Sequence, residues 1–333
     1  MKKFILILAG LIIALLTVGF YFSSCKKKSD DNTVSSQRVV ELAGYSNDTL
    51  LYNSVYKYSG NLISEIIVSA AMIEVAKTTC QYAGDKITSI TDSEISNGNW
   101  VKTYLTEVIS YSGNNPTEII EHNYAPNGNE TNKYKYTFSY DGSIIKEASD
   151  YSYASGNWNE SSRTIYTYDN NGRIIEVSHV YLSGHNWEYK TSFIYDGNTM
   201  KASIDSTLSN GTWQPWDKTT FEYENNRLKK SNYLYWANNS WVNYSYEMYE
   251  YNDRSNVTRH QWVDVSGQNS ESSDFKIKYE EGSGNFRQFE LIRDMLVMIP
   301  GYPYPYPVKS TPPWPGKNQL GFSKFERQST FRH

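Results

Sequence analysis

The residues of this chain that could do chemistry are few and far apart. Its histidines are His122, His179, His185, His260 and His333. His179 and His185 flank one turn and could meet, yet no Cys, Asp or Glu stands beside them at metal-ligand spacing, so the pattern predicts surface histidines at a hairpin end. The chain has no G-x-S-x-G elbow, no H-E-x-x-H pair and no glycine-rich phosphate loop. Acidic residues such as Glu176, Asp205 and Glu247 read as scattered through strands, which leaves room for a glycosidase-type carboxylate pair without pointing to one. No metal or cofactor is implied. The formal net charge is -4 with no basic stripe, which argues against nucleic acid as a partner. What the chain has in excess is rings, with 30 Tyr and 9 Trp. Their flat apolar faces and polar tips suit stacking on sugars or anchoring a protein partner.

Those rings recur. Trp158, Trp187, Trp213 and Trp241 follow one another at gaps of 29, 26 and 28 residues, and Trp100 lies 58 residues before Trp158. A fixed period of this size marks a supersecondary unit that is copied and stacked. In the unit that begins at Trp158, the residues Trp158, Thr164, Tyr166 and Tyr168 share parity, which in one uninterrupted strand places them on one face. Asp169 to Gly172 supplies turn residues, and Ile175, Val177 and Tyr181 carry the chain back. Trp158, Trp213 and Trp241 each precede a turn tyrosine (Tyr168, Tyr223, Tyr251) by ten residues, and Trp187 precedes Tyr195 by eight. Even offsets assign the periodic tryptophans to the core as hairpin anchors. Trp216, Trp236 and Trp262 fall out of phase and become the candidate exposed binding residues. Trp100 precedes Tyr111 by eleven, so that strand needs a bulge or a different partner.

The expected fold is all-β. About eight repeats of roughly 28 residues give one long antiparallel meander, too many strands to stay flat, curled into a trough or incomplete barrel. Residues 166 to 176, YTYDNNGRIIE, resemble the YD repeats of the RHS family, and FSYDGSII (138 to 145) and FIYDGNTM (193 to 200) resemble them in part. In that family such hairpins build a shell around a toxin with far more repeats than stand here. The resemblance implies a folding motif and no chemistry.

The ends are different in kind. Residues 1 to 24 carry Lys2 and Lys3, then an apolar run, and read as an export signal. Phe22, Ser23, Ser24 and Cys25 resemble the lipobox of bacterial lipoproteins, which implies that Cys25 is lipidated and holds the chain to a membrane. Residues 25 to 36 form a polar tether, and its Ser29, Asp30 and Asp31 resemble the signal that carries lipoproteins of Bacteroidota to the outer face of the outer membrane. Cys80, then the only other cysteine, is expected to be a small hydrophobe in a strand. The repeat domain is read as 37 to 299. Seven of the ten prolines lie between Pro300 and Pro315, so residues 300 to 333 are expected to strap over the sheet through Tyr302, Tyr304, Tyr306 and Trp314. Together these features point to a lipid-anchored envelope protein, more in keeping with binding than catalysis, whose partner is an extracellular glycan or protein. A glycan hydrolase and a periplasmic lipid carrier are the alternatives.

Overall fold

The computed structural model describes residues 37–46, 49–142, 144–182, 188–225, 227–252, 257–265 and 272–281. Every element in them is a strand: β1 (Gln37–Ser46), β2 (Thr49–Ser59), β3 (Leu62–Ala70), β4 (Ile73–Ala83), β5 (Lys86–Ser96), β6 (Asn99–Ser112), β7 (Asn115–Tyr124), β8 (Glu130–Asp141), β9 (Ile144–Ala154), β10 (Asn157–Tyr168), β11 (Ile174–Tyr181), β12 (Glu188–Asp196), β13 (Thr199–Ser209), β14 (Thr212–Glu224), β15 (Arg227–Ala237), β16 (Ser240–Tyr251), β17 (Val257–Asp264) and β18 (Ser272–Glu281). Each strand pairs antiparallel with the next, and β1 also pairs with β18 from Gln37↔Glu281 to Ser46↔Ser273. The meander expected from the repeat is therefore present, and its curl runs to completion as an 18-stranded closed barrel. Closure leaves no unpaired edge to template aggregation.

The two ends of the barrel use different turns. At one end Asn97–Gly98, Ser155–Gly156, Asn210–Gly211 and Asn238–Asn239 each place two consecutive residues in the left-handed region. That is the two-residue hairpin turn whose twist matches the strands, and Asn and Gly tolerate it best. Two positions after each of these turns stands a tryptophan: Trp100, Trp158, Trp213 and Trp241.

At the other end stand the turn tyrosines, from Tyr58 and Tyr82 through Tyr111, Tyr140 and Tyr168 to Tyr195, Tyr223, Tyr251 and Tyr279. The spacings after Tyr82 are 27 to 29 residues, so the tyrosine period extends through Tyr279. The hydroxyls of Tyr58, Tyr82, Tyr111, Tyr140, Tyr168, Tyr251 and Tyr279 reach back one hairpin, whereas that of Tyr195 makes no hydrogen bond among the described residues. Tyr82 donates to the Ile63 carbonyl at 2.7 Å, Tyr111 to Ile87 at 2.6 Å, Tyr140 to Pro116 at 2.8 Å and Tyr168 to Ile145 at 2.9 Å. Tyr58 bonds Val39 of β1, and Tyr279 of β18 bonds Val257, so the ladder starts and finishes at the closure. Each bond satisfies a buried hydroxyl and ties one repeat to its neighbour.

Beneath this ring the barrel is filled with aliphatic side chains. Ile63, Ile87, Leu228 and Val257 are 0% exposed. A round barrel of this strand number encloses a water-filled channel. Side chains on its inner wall with no accessible surface mean that opposite walls pack against one another at this end. Cys80 lies in β4, half-buried against the core, as expected for a small hydrophobe.

The outer wall is charged. Lys57–Glu65 (2.6 Å), Lys190–Glu176 (2.7 Å), Arg259–Asp274 (2.8 Å) and Lys278–Glu41 (2.6 Å) are ion pairs between neighbouring strands, facing away from the core. A barrel that crosses a bilayer needs an outward apolar band about 25 Å tall, and each Lys or Arg at its midplane costs about 2 to 4 kcal/mol. These ion pairs put charge on the outer wall, where outward apolar residues such as Val55, Ile165 and Ile194 also stand.

Candidate functional site: an outer aromatic collar and an acidic inner wall

Strand register decides where the tryptophans point. On β10 the pairing slips between Glu160 and Ser162, so Ser161 is an extra residue. Ser162, Thr164 and Tyr166 face inward and are buried, whereas Trp158, on the far side of the bulge, faces outward opposite Tyr153. The same slip occurs on β6 at Thr103, on β14 at Trp216 and on β16 at Tyr244. One extra residue inverts parity. This corrects the assignment of the periodic tryptophans to the core, because even spacing puts them on one face only where no residue is inserted. The eleven-residue offset on β6 also has its expected bulge, a second slip between Val108 and Ser110 beyond the one at Thr103.

Trp100, Trp158, Trp213 and Trp241 thus form a collar around the outside of one end. Trp158 meets Tyr153 edge-on at 4.9 Å between centroids, and Trp241 meets Trp236 at 5.0 Å. A lysine from two strands earlier lies over each indole: Lys77 over Trp100 at 4.8 Å, Lys135 over Trp158 at 5.3 Å, Lys190 over Trp213 at 4.8 Å and Lys218 over Trp241 at 5.6 Å. Such contacts hold ammonium groups against ring faces while leaving ring edges open to water.

The three tryptophans singled out by phase do not come together. Trp236 is outward and 38% exposed, within the collar. Trp216 is the inserted residue of the β14 bulge and is half-buried. Trp262 is half-buried on β17 and pairs with Glu247, so it faces inward. Trp187, His185, Cys25 and the segment 300 to 333 lie outside the described residues.

The inner wall at mid-height and above carries the groups that sequence reading took to be scattered. Asp92, Glu121, Asp150 and His179 stand 29 residues apart, one per repeat, and that spacing was the signal that could have found them. With Glu94, the three carboxylates face inward from β5, β7 and β9 around Tyr104 and Tyr136. Asp205, Asp217, Glu247 and Asp264 face inward from β13 to β17. Neighbouring hydroxyls serve them. Thr191 donates to Asp205 and Tyr233 to Glu247 at 2.6 Å each, and Thr78 to Asp92 at 2.5 Å, all three across 14 residues. That is half of one repeat: Thr191 stands directly opposite Asp205 and Thr78 opposite Asp92, whereas Tyr233 reaches Glu247 diagonally. Tyr249 also donates to Glu247, and His260 lies 3.3 Å from the same carboxylate, sandwiched between Tyr249 and Phe275.

Burial governs the titration of this wall. The Asp150 carboxyl is pushed up to about 7 by desolvation, against the pull of the Ser162 hydroxyl at 2.6 Å and with a further push from Glu121. Glu94 is raised by burial and then by Asp92, and the Tyr104 hydroxyl is raised by burial and then by Glu121, Glu94 and Asp92. His179 is 1% exposed, bonded to Thr164 at 2.9 Å and stacked on Tyr189, and burial lowers it to about 4. It is a neutral core histidine, which corrects its reading as a surface residue at a turn. His122 is on the outer wall between Glu107 and Glu130 at 2.8 Å each. Of the acids named from sequence, Glu176 is outward in its ion pair with Lys190, whereas Asp205 and Glu247 are inward. Among the described residues no cluster of three or more His, Cys, Asp or Glu has metal-binding geometry.

No family model and no curated protein matches this sequence. Among solved structures it is similar to a porin-like protein from Bacteroides uniformis (10% identity, 75% of this chain and 98% of that one, TM-score 0.40) and to another from Bacteroides vulgatus (12%, 73% and 98%, 0.38). A DUF3836 family protein from Parabacteroides distasonis is matched over 31% of this chain and 97% of its own, at 15% identity and TM-score 0.22. These likenesses are loose, and the closed barrel stands on its own strand pairing.

Proposed function

We propose that this protein is a non-enzymatic, lipid-anchored receptor of the bacterial cell envelope that binds an extracellular glycan through its tryptophan collar. The observation that carries the reading is the position of the collar. β1 begins and β18 finishes at the tyrosine end, so both tails leave the barrel opposite the collar. A chain tethered through Cys25 of its lipobox-like segment, and exported to the outer membrane as its Ser-Asp-Asp element suggests, would hold its rings outward, away from the lipid. Trp and Tyr at hairpin ends, with lysines among them, offer apolar faces for sugar rings and cations for acidic substituents. The charged outer wall fits a protein that stands on a membrane without crossing it. The hydrolase alternative is less favoured by the burial of Asp205 and Asp217, which oppose one another across β13 and β14 at 7% and 4% exposure.

The test is retention of polysaccharides by the mature protein, compared with Trp100→Ala, Trp158→Ala and Trp236→Ala variants. A stacking contact of about 1 to 1.5 kcal/mol predicts a roughly tenfold loss of affinity per ring with the melting temperature nearly unchanged. Retention unaffected by all three changes, or turnover of the glycan that disappears on replacing one carboxylate, would overturn this function.

A further inference from the structure

We propose that the ligand of the tryptophan collar is an acidic polysaccharide, one whose chain carries an anionic group on each disaccharide. The inference rests on the reading of the collar as a glycan site and commits that site to a charge and a repeat length.

The cations at the two ends of the barrel are held differently. At the tyrosine end Arg38, Lys146 and Arg173 lie over turn tyrosines and each also has a carboxylate, on Glu280, Asp141 and Asp169. At the collar Lys77 lies over Trp100, Lys102 over Tyr124, Lys133 and Lys135 over Trp158, and Lys218 over Trp241. Among the described residues these five lysines have ring faces as partners and no carboxylate within ion-pair reach. The nearby acids of the outer wall are engaged elsewhere: Glu107 and Glu130 by His122, Glu160 by Arg163 and Glu176 by Lys190. Glu74 and Glu188 stand outward there without a cation, so the lysines outnumber them. A ring face attracts an ammonium without neutralising it, and each lysine keeps charge and N–H donors for an anion.

The repeat sets the spacing. Equivalent positions in successive hairpins are two strand spacings apart, about 10 Å, which is the length of one disaccharide in an extended polysaccharide. Trp213 and Trp241 stand in successive hairpins of this kind, with Lys190 and Lys218 over them. A ring can therefore take one sugar face and a lysine its acidic substituent, and the same pair recurs one disaccharide further along. The turns beside the rings, Asn97–Gly98, Ser155–Gly156, Asn210–Gly211 and Asn238–Asn239, carry no charge and offer amides and a hydroxyl to sugar hydroxyls. Trp100, Tyr153 and Trp236 are 37%, 46% and 38% exposed, so ring surface is open to a ligand. The chain as a whole has a net charge of -4 and repels a polyanion, so retention of one must come from this local arrangement.

The experiment measures retention of hyaluronan and of polygalacturonate by the mature protein, against the same two polymers with their carboxyl groups reduced to alcohols. At about 50 mM salt the acidic forms should be held roughly tenfold more tightly than the reduced ones, and the difference should vanish at about 500 mM. Lys77→Gln/Lys135→Gln/Lys218→Gln should lose roughly tenfold toward the acidic polymers and nothing toward the reduced ones, with the melting temperature unchanged. Lys57→Gln/Lys229→Gln/Lys278→Gln removes the same charge from ion-paired lysines away from the rings and should bind as the wild type does. Reduced polymers held as tightly as acidic ones would overturn the proposal and leave the collar a glycan site. Equal loss in the two triple variants, or none in the collar variant, would overturn it as well. No retention of any polysaccharide would overturn both this inference and the function it rests on.

Discussion

Gly44 and Tyr52 oppose one another directly across β1 and β2, and a Cβ added to Gly44 would stand 2.1 Å from the Tyr52 ring. Tyr52 is 2% exposed and cannot swing away. The ring covers the bare backbone of the glycine, as aromatic residues do beside strand glycines. Gly44→Ala should therefore cost about 3 kcal/mol in denaturant unfolding, and the cost should shrink when Tyr52→Leu is added to make room. Additive losses would show that the two residues are not in conflict. Asp150 gives a second prediction at this scale. Its folded value of about 7 lies above the ordinary carboxylate value, so the folded state holds a proton that the unfolded chain releases. Stability contributed by this residue falls as pH rises from about 4 to about 7 and stays low above that. Asp150→Asn should raise the melting temperature at pH 8, by at most about 4 kcal/mol in stability, with the gain narrowing toward pH 5. His179 works in the opposite sense: lowered to about 4, it removes stability as pH falls below its unfolded value of about 6.5. The acid sensitivity of Asp150→Asn should thus be steeper than that of the wild type, and a variant that melts lower at every pH would refute the burial argument.

At the scale of the element, the strand pairs are pinned at one end by tyrosines, and four of the hairpins are finished at the other by Trp100, Trp158, Trp213 or Trp241. The tyrosine does two jobs, filling the core and bonding the previous repeat. Tyr168→Phe keeps the ring and loses only the bond to Ile145, which should cost about 1 kcal/mol, whereas Tyr168→Ala should cost about 3. Equal losses would mean that the hydroxyl ladder dominates. The tryptophan of the same strand is outward, so Trp158→Ala should cost less than about 1.5 kcal/mol, because its ring contacts are at the surface. A loss as large as that of Tyr168→Ala would return Trp158 to the core.

For the whole molecule, the ion pairs on the outer wall fit the proposed reading of a barrel held at a membrane by an anchor. On the proposed lipoprotein reading, Cys25→Ala should abolish fatty-acid incorporation and leave an unprocessed precursor that keeps its apolar segment. The purified protein should produce no ion conductance across planar bilayers, since its outer wall carries ion pairs and the tyrosine end is packed. Steady single-channel currents would refute this expectation.

What the residues by themselves determined is everything local. Turn chemistry such as Asn97–Gly98 and Asp169 to Gly172, the 28-residue period and the abundance of β-forming aromatics are enough to specify hairpins in series, because each is decided within a dozen neighbouring residues. The bulges were not legible. Ser161, Thr103 and Trp216 are inserted only relative to a partner strand, and no spacing along one strand reveals that the register has slipped. A single such residue turned Trp158 from core anchor to collar. The acidic row was present as a 29-residue rhythm from Asp92 to His179, but its meaning depends on which face of each strand is inside. Closure was also beyond the sequence: Val39 meets Tyr279 across more than two hundred residues, and only the accumulated twist of every strand between them decides that the ends meet.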